Sequence, residues 1–437
     1  LLPVPAAGGA ERQTSGGPSI ASVILRKEVQ EKLSEIQRAD IVVGVPSYNN
    51  ASTIGHVVRA VQAGISKYFP DRSAVLVNSD GGSKDDTAGV VTKAMLDDFG
   101  SLLIPQRMNP MEKIITPYHG VPGKGSAFRT IFEIAKELEA KACAVVDSDL
   151  RSITPEWIDL LLRPVLERGY DFVAPYYLRH KYDGTITNSL VYPITRALYG
   201  LRIRQPIGGD FGFSGELAKF YLTKDVWESD IARFGIDIWM TTTAVANKFR
   251  VCQSFLGAKI HDPKDPGADL SAMLHQVMST VFELMIEYHD VWKNVQDSQP
   301  TEVFGFRYGV GLEPVHVHLE RMIDKFTLGL QELSPLWERF MPPEVLEYLR
   351  SIPPRPWEKF HMPIDIWVDL VYSFALAYHT RVMNREHLLK SLTPLYLGRV
   401  ASFIVSTLES GAEEVEEIIE KSCLKFEEKK DFLLENW

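Results

Sequence analysis

The chain has 437 residues, 45% of them hydrophobic and 24% charged, with a formal net charge of -10 and an isoelectric point near 5.6. This composition supports a sizeable core in two or three domains, and the acidic balance excludes broad nucleic-acid binding, which needs a basic face against phosphates. Three widely spaced cysteines, Cys143, Cys252 and Cys423, indicate neither a disulfide framework nor a zinc site.

The opening stretch, LLPVPAAGGAERQTSGGPS, is rich in Gly, Pro and Ser rather than built as a basic leader with a long apolar segment. It reads as a flexible arm, and the cytoplasm is the expected compartment. No apolar run approaches the roughly 18 residues that span a bilayer; the most apolar helical segment, DIWVDLVYSFALAYH, carries Asp365 and Asp369. From ADIVVGVPSYNN onward, short β-rich runs alternate with helical patterns through YDFVAPYY, the rhythm of βαβ units and a mostly parallel sheet. Ser52, Ser83 and Thr154-Pro155-Glu156 mark helix starts. Beyond about residue 270, SAMLHQVMSTVFELMIEYHDVWKNV and the segments after it carry a 3.6-residue apolar period. The expected division is an arm and helix over 1–38, an α/β domain over 39–270 and a helical domain over 271–437, with no internal repeat.

In open α/β sheets ligands lie outside the carboxyl ends of the strands, which directs attention to Pro46 through Asn50, Ser79 through Gly82, and Asp147 through Asp149. In NSDGGSKDDT, Asp80 precedes two glycines that let the backbone approach a ligand, although a strand, tight turn and helix cap give the same pattern. GVPGKGSAF sets Lys124 on a Gly-rich turn before a helix. It lacks the GxxxxGK[ST] frame, so it is no P-loop, and Lys124 is either a point charge for a phosphate or a solvated loop lysine. Asp147-x-Asp149 suits Mg²⁺ or Mn²⁺, which one or two carboxylates hold together with substrate phosphates; the alternative is an acidic turn capping the TPEW helix, with Arg151 near either acid. His261 ends an apolar strand and can complete an oxygen-rich metal shell. Gly184 leads into Thr185, Thr187 and Asn188 at a helix start, where free N–H groups favour an anion. Arg179, His180, Lys181 and Lys259 add positive charge for an anionic acceptor, carboxylate or phosphate.

Taken in order, VGVPSYNNASTI, DGGSKDDT, GKGSA and VVDSDL resemble the nucleotide-binding half of GT-A fold glycosyltransferases, with Gly81 replacing an acid of the DDGSTDDT segment and VVDSDL standing for the DxD metal motif. YYLRHKYDGTITNSLVYPI, QPIGGDFGFSGEL, RFGIDIWMTT and CQSFLGAKIHDPKDP are similar to segments of the glucosyl-3-phosphoglycerate synthases and their mannosylglycerate and glucosylglycerate relatives. The likeness covers about residues 40–265. It implies an α/β GT-A fold, a Rossmann-like mixed sheet flanked by helices. The all-helical C-terminal region goes beyond the resembling core enzymes and is expected to be a dimerisation module, giving a homodimer, or an acceptor-side cover.

The same resemblance implies a metal-dependent retaining transfer of glucose or mannose from a nucleoside-diphosphate sugar to D-glycerate or 3-phosphoglycerate, as in compatible-solute synthesis. It carries Pro46, Ser47, Tyr48, Asn50, Asp80, Gly81, Lys124, Asp147, Ser148, Gly209 and Asp210 to donor binding, and Gly184, Thr185, Thr187, Asn188 and Lys259 to the acceptor. Asp149 and His261 become ligands of Mg²⁺ or Mn²⁺. Asp147, Asp237 and Lys124 act in catalysis, with Asp147 on the ribose or a metal-bound water and Asp237 on the donor sugar. Asn49 and Asn50 stand where many relatives carry acids near the base, which leaves UDP, GDP and ADP open. One alternative is an inverting GT-A synthase with a lipid-phosphate or polysaccharide acceptor, in which Asp237 is a general base. A nucleotidyltransferase would want a basic Gly-rich first strand end, which GVPSYNN lacks, and a non-catalytic nucleotide-sugar-binding scaffold is the third reading.

Overall fold

The computed structural model describes residues 25–96, 111–118, 123–233, 235–261, 270–309 and 311–437. The N-terminal arm through residue 24, residues 120–122 of the Gly-rich turn and the 262–266 end of the HDPKDP segment lie outside the described residues. The strands in chain order are β1 (Ile41–Ser47), β2 (Ala74–Asp80), β3 (Glu112–Pro117), β4 (Ala142–Val145), β5 (Phe172–Leu178), β6 (Leu201–Arg202), β7 (Phe211–Ser214), β8 (Val251–Ala258), β9 (Gln299–Pro300) and β10 (Val303–Phe304). Among the described residues they form an eight-stranded sheet of order β10-β8-β5-β7-β4-β1-β2-β3, with β6 and β9 paired apart.

The first half also contains α1 (Lys27–Ile36), α2 (Ile54–Tyr68), α3 (Thr87–Leu96), α4 (Lys124–Glu137), α5 (Pro155–Arg168), α6 (Tyr192–Tyr199), α7 (Gly215–Leu222) and α8 (Ile236–Ala246). All seven residues of β1 are buried, because helices cover both faces of the sheet. Successive side chains leave a strand on opposite faces. Ile41, Val43 and Val45 therefore pack with Val57 and Leu161 of α2 and α5, while Val42 joins Phe128 and Phe132 of α4.

Strand register creates the site. Ser47 pairs with Asp80, Asp80 with Pro117, and Gly44 with Val145, so the chain leaves β1, β2, β3 and β4 at one edge. The sheet is mixed, as the resemblance implies, because β7 runs antiparallel to both β4 and β5. Phe211 pairs with Val145, so the loop entering β7 at Gly208–Asp210 lies beside the chain leaving β4 toward Asp147. Leu178 pairs with Ala258, which brings Arg179 and Lys259 to the same edge.

Two of the expected helix starts move. Ser52 lies ahead of α2, which begins at Ile54 after Thr53, and the Thr53 hydroxyl donates to the Ser148 carbonyl instead of capping the helix. Ser83 likewise precedes α3 by a turn: its hydroxyl donates to Asp80, and the carboxylate of Asp85 accepts from the Thr87 N–H. Thr154 precedes α5 with Pro155 at the first helical position.

The C-terminal region is all helical apart from β9 and β10, with α9 (Ser271–Glu287), α10 (His289–Trp292), α11 (Leu319–Trp337), α12 (Pro343–Ser351), α13 (Ile364–His379), α14 (Arg385–Thr407), α15 (Ala412–Glu428) and α16 (Lys430–Asn436). One buried apolar cluster runs from Phe128 and Trp239 through Trp337, Trp367 and Phe426, so the core does not stop at residue 270. Polar contacts reinforce the junction. The fully buried Arg196 of α6 pairs with Glu420 at 2.5 Å and Glu427 at 2.7 Å, and Arg204 pairs with Glu416 at 2.7 Å, all three acids on α15. Among the described helices α14, rather than the Asp365-containing segment, has the length and composition of a membrane span, yet 72% of its apolar window is buried inside the protein, as a core helix requires.

Candidate functional site

A cavity of about 740 Å³ opens at the carboxyl edge of the sheet, within the size range of small-ligand sites. Its wall brings together Pro46, Ser47, Tyr48, Asn50, Gly81, Lys124, Asp147, Ser148, Asp149, Gly184, Thr185, Thr187, Gly209, Asp237, Lys259 and His261, gathered from five strand ends and three helix starts.

The floor is a cluster of three carboxylates and two ammonium groups. Lys124, at the start of α4, lies 2.8 Å from Asp147 and 3.1 Å from Asp237. Lys259 donates to Asp147 at 2.7 Å, to the Gly208 carbonyl at 2.7 Å and to Asp210 at 2.8 Å. Asp210 also accepts from the backbone N–H of Asp147 at 2.7 Å and from the Tyr177 hydroxyl. Burial opposes ionisation of Asp147, but the two lysines outweigh it and hold its carboxyl well below the usual carboxylate range. Burial pushes Asp210 and Asp237 up, Asp147 adding to it and the lysines opposing it. Lys124 rises despite burial because Asp147 and Asp237 face it.

This arrangement separates the two acids of the Asp147-x-Asp149 motif. Asp147 is engaged by lysines, whereas Asp149 faces the cavity with no lysine or arginine paired to it among the described residues. Arg151 turns to Glu313 at 2.8 Å. Its backbone N–H bonds the Ile260 carbonyl and the Ile260 N–H bonds Ser152, stitching the segment after Asp149 to the one that ends at His261. The His261 Nε2 lies 4.0 Å from Asp183. Among the described residues no group of three or more His, Cys, Asp or Glu side chains is placed to hold a metal unaided. Asp149 and His261 instead offer one oxygen and one nitrogen donor on a shared wall, a set that suits Mg²⁺ or Mn²⁺ when substrate oxygens and water supply the rest.

Several residues expected on the ligand are engaged within the protein. Lys259 spends all three N–H donors inside the protein, which leaves none for an acceptor. Asp210 is fully buried against Lys259, with no surface of its own. The Asp80 carboxylate accepts from the N–H groups of Gly82 and Ser83 and from the hydroxyls of Ser47 and Ser83, so it shapes the turn rather than lining the cavity. Asn188 accepts from Arg204 at 2.9 Å and lies off the cavity. Lys181 donates to the carbonyls of Thr407, Leu408 and Ser410, capping α14. Arg179 does line the cavity, 3.7 Å from Asp183, and its Nε is buried without a hydrogen-bond partner.

Sequence reasoning passed over Tyr118, Tyr182, Asp183 and the apolar residues Leu270, Met273 and Val277, all on the wall. Tyr118 follows β3, the one strand end left unread, and its hydroxyl accepts from the Gly123 N–H. A side chain at Gly81 would come within 3.2 Å of both Tyr118 and Tyr48, so the two rings flank a backbone-only gap. Met273 and Val277 belong to α9, which makes the helical region part of the wall.

Gly209 is constrained by both backbone and space. Its φ is +87°, and an added Cβ would meet the Asp147 carboxylate at 2.4 Å and the Lys124 ammonium at 3.1 Å. Gly209→Ala is expected to cost about 1–3 kcal/mol, read by chemical denaturation; parental stability would show that the loop rearranges freely.

No family model matches the chain, and no curated protein does. Among solved structures it is similar to glucosyl-3-phosphoglycerate synthase from Mycobacterium tuberculosis in complex with Mn²⁺, UDP-glucose and phosphoglyceric acid, with a TM-score of 0.42 and 20% identity over 58% of this chain and 83% of that one. The complex of that enzyme with Mg²⁺ and UDP gives 0.41 and 18% over 59% and 83%, and the complex with Mn²⁺, UDP and glucosyl-3-phosphoglycerate gives 0.42 and 18% over 59% and 84%. At such distance, the chemistry has to be read from the residues themselves.

Proposed function

We propose that the chain is a divalent-metal-dependent, retaining hexosyltransferase that moves glucose or mannose from a nucleoside-diphosphate sugar to a small hydroxy acid, D-glycerate or 3-phosphoglycerate. One observation carries the reading: Asp149 and His261 share a cavity wall with an aromatic-flanked glycine turn and with a helix start beside Arg179. The first suits a nucleobase, the second an anionic acceptor.

Asp149 and His261 would hold Mg²⁺ or Mn²⁺, which when bound supplies positive charge to the leaving diphosphate. Tyr48 and Tyr118 border the base, and Ser148, which donates to Asn50 at 2.8 Å, keeps the first strand end in place. Asp237 lines the cavity beside Lys124, whose ammonium lies 3.1 Å from its Oδ1, and we assign its carboxylate to a hydroxyl of the donor sugar. Lys124 offsets part of the charge of Asp147 and Asp237, which lowers the like-charge repulsion a diphosphate meets there. The N–H groups at Thr185 and Thr187, with the guanidinium of Arg179, would bind the acceptor's carboxylate or phosphate.

Incubation with UDP-glucose, GDP-glucose or GDP-mannose, Mg²⁺ or Mn²⁺, and either acceptor should release nucleotide in at least one combination. An α-linked product by proton NMR from the α-linked donor agrees with retention. A β-linked product would replace this reading with an inverting one using Asp237 as base, and silence in every combination would favour a binding scaffold.

A further inference from the structure

A second, separate cavity lies where the helical region meets the first turn of the helix that begins at Thr185. About 20 Å³ of it is open to the centre of a water-sized sphere, enough for one or two atoms of that size and too little for a sugar or nucleotide. Its wall includes Thr185, Asn188, Arg399, Phe403, Ile419 and Ser422, and among the described residues no carboxylate lines it. Thr185, whose hydroxyl is 2.6 Å from that of Tyr396, belongs to the walls of both cavities.

Arg399, on α14, is 6% exposed, and its guanidinium makes one hydrogen bond, from Nη1 to the Met362 carbonyl at 3.0 Å. Its Nε is buried without a partner, and so is the Ser422 hydroxyl on the facing α15. No acid pairs with Arg399 among the described residues. Every other strongly buried arginine of this junction has a carboxylate: Arg196 has Glu420 and Glu427, and Arg204 has Glu416. Burial alone pushes the Arg399 guanidinium down to about 10, with no anion to oppose it, and it still carries its charge at neutral pH.

An unpaired buried cation is costly. A water molecule accepts hydrogen bonds from Nε and the serine hydroxyl but leaves the charge uncompensated. We propose that this cavity is a binding site for a small monovalent anion of the halide class, held between the Arg399 guanidinium and the Ser422 hydroxyl. The anion would stand in for the missing acid and tie α14 and α15 to the helix that borders the larger cavity.

The full chain, exchanged into sodium gluconate, is titrated with sodium chloride or bromide at constant ionic strength while thermal unfolding is followed. The melting temperature is expected to rise by several degrees and to saturate, as linkage to a single site requires. Arg399→Met should abolish the saturable rise. If that variant does not fold, Ser422→Val, which keeps the arginine, should weaken apparent halide affinity several-fold. Crystals grown in bromide should show an anomalous peak within hydrogen-bond distance of Arg399 Nε. Equal melting temperatures in gluconate and halide would overturn the proposal, as would a halide response unchanged in Arg399→Met or a bromide crystal with no peak at this position.

Discussion

Replacing Asp149 by alanine is expected to slow nucleotide release from the preferred donor by roughly 10²–10³-fold, the usual consequence of removing one electrostatic contributor to a developing charge, while stability shifts by less than about 1 kcal/mol. The two halves of this expectation come from one fact. Asp149 is half-buried on the cavity wall and is not part of the lysine cluster below it, so its loss removes chemistry without leaving a buried charge unpaired. Its neighbour two residues earlier behaves oppositely: Asp147→Asn would disturb both Lys124 and Lys259. Steady-state rates across a Mn²⁺ titration, paired with urea unfolding, separate the cases. An Asp149→Ala enzyme with parental rates at every metal concentration would remove the metal-ligand role assigned to that residue.

The contrast between those two aspartates also marks how far the sequence could be read. The alternation of β-rich and helical segments made the sheet legible, because parallel strands buried on both faces read as continuous apolar runs such as IVVGV. The Asp147-x-Asp149 pair, the Gly-rich turns and His261 were legible as strand-end chemistry for the same reason. What could not be read was which cation each acid would meet, since Lys259 lies 112 residues from Asp147 and reaches it only through the Leu178–Ala258 register and the antiparallel entry of β7. Asn188 shows the same limit from the other side. Its place in the first turn after Gly184 suggested an anion contact, but Arg204, anchored by Glu416 on α15, claims its side chain. Tyr118 escaped because the weakly apolar β3, buried at only a few positions, gives a poor strand signal.

Lys259→Met should be among the most destabilising single changes in the chain, at about 3–5 kcal/mol, the cost of removing one partner from a buried ion pair. Methionine matches the length of the lysine stem but returns none of its three hydrogen bonds, so Asp210 keeps only the Tyr177 hydroxyl and the Asp147 N–H, and Asp147 keeps only Lys124. The pH dependence has a definite sign. In the parent, the depressed Asp147 contributes stability above its unfolded value near 4, and this is lost as pH falls through the lower folded value. In the variant, Asp210 loses the cation that opposed its upward shift, so its folded pKa rises further above the unfolded one and protonation relieves the buried charge as pH falls. The gap between parent and variant should therefore narrow from pH 8 toward pH 5. Adding Asp210→Asn to Lys259→Met removes the stranded charge while keeping an acceptor for Tyr177, and should restore about 1–2 kcal/mol through the coupling of the two sites. Urea unfolding of the four proteins at both pH values measures all of this. Strict additivity, or a gap that does not change with pH, would mean that solvent rather than Lys259 compensates Asp210.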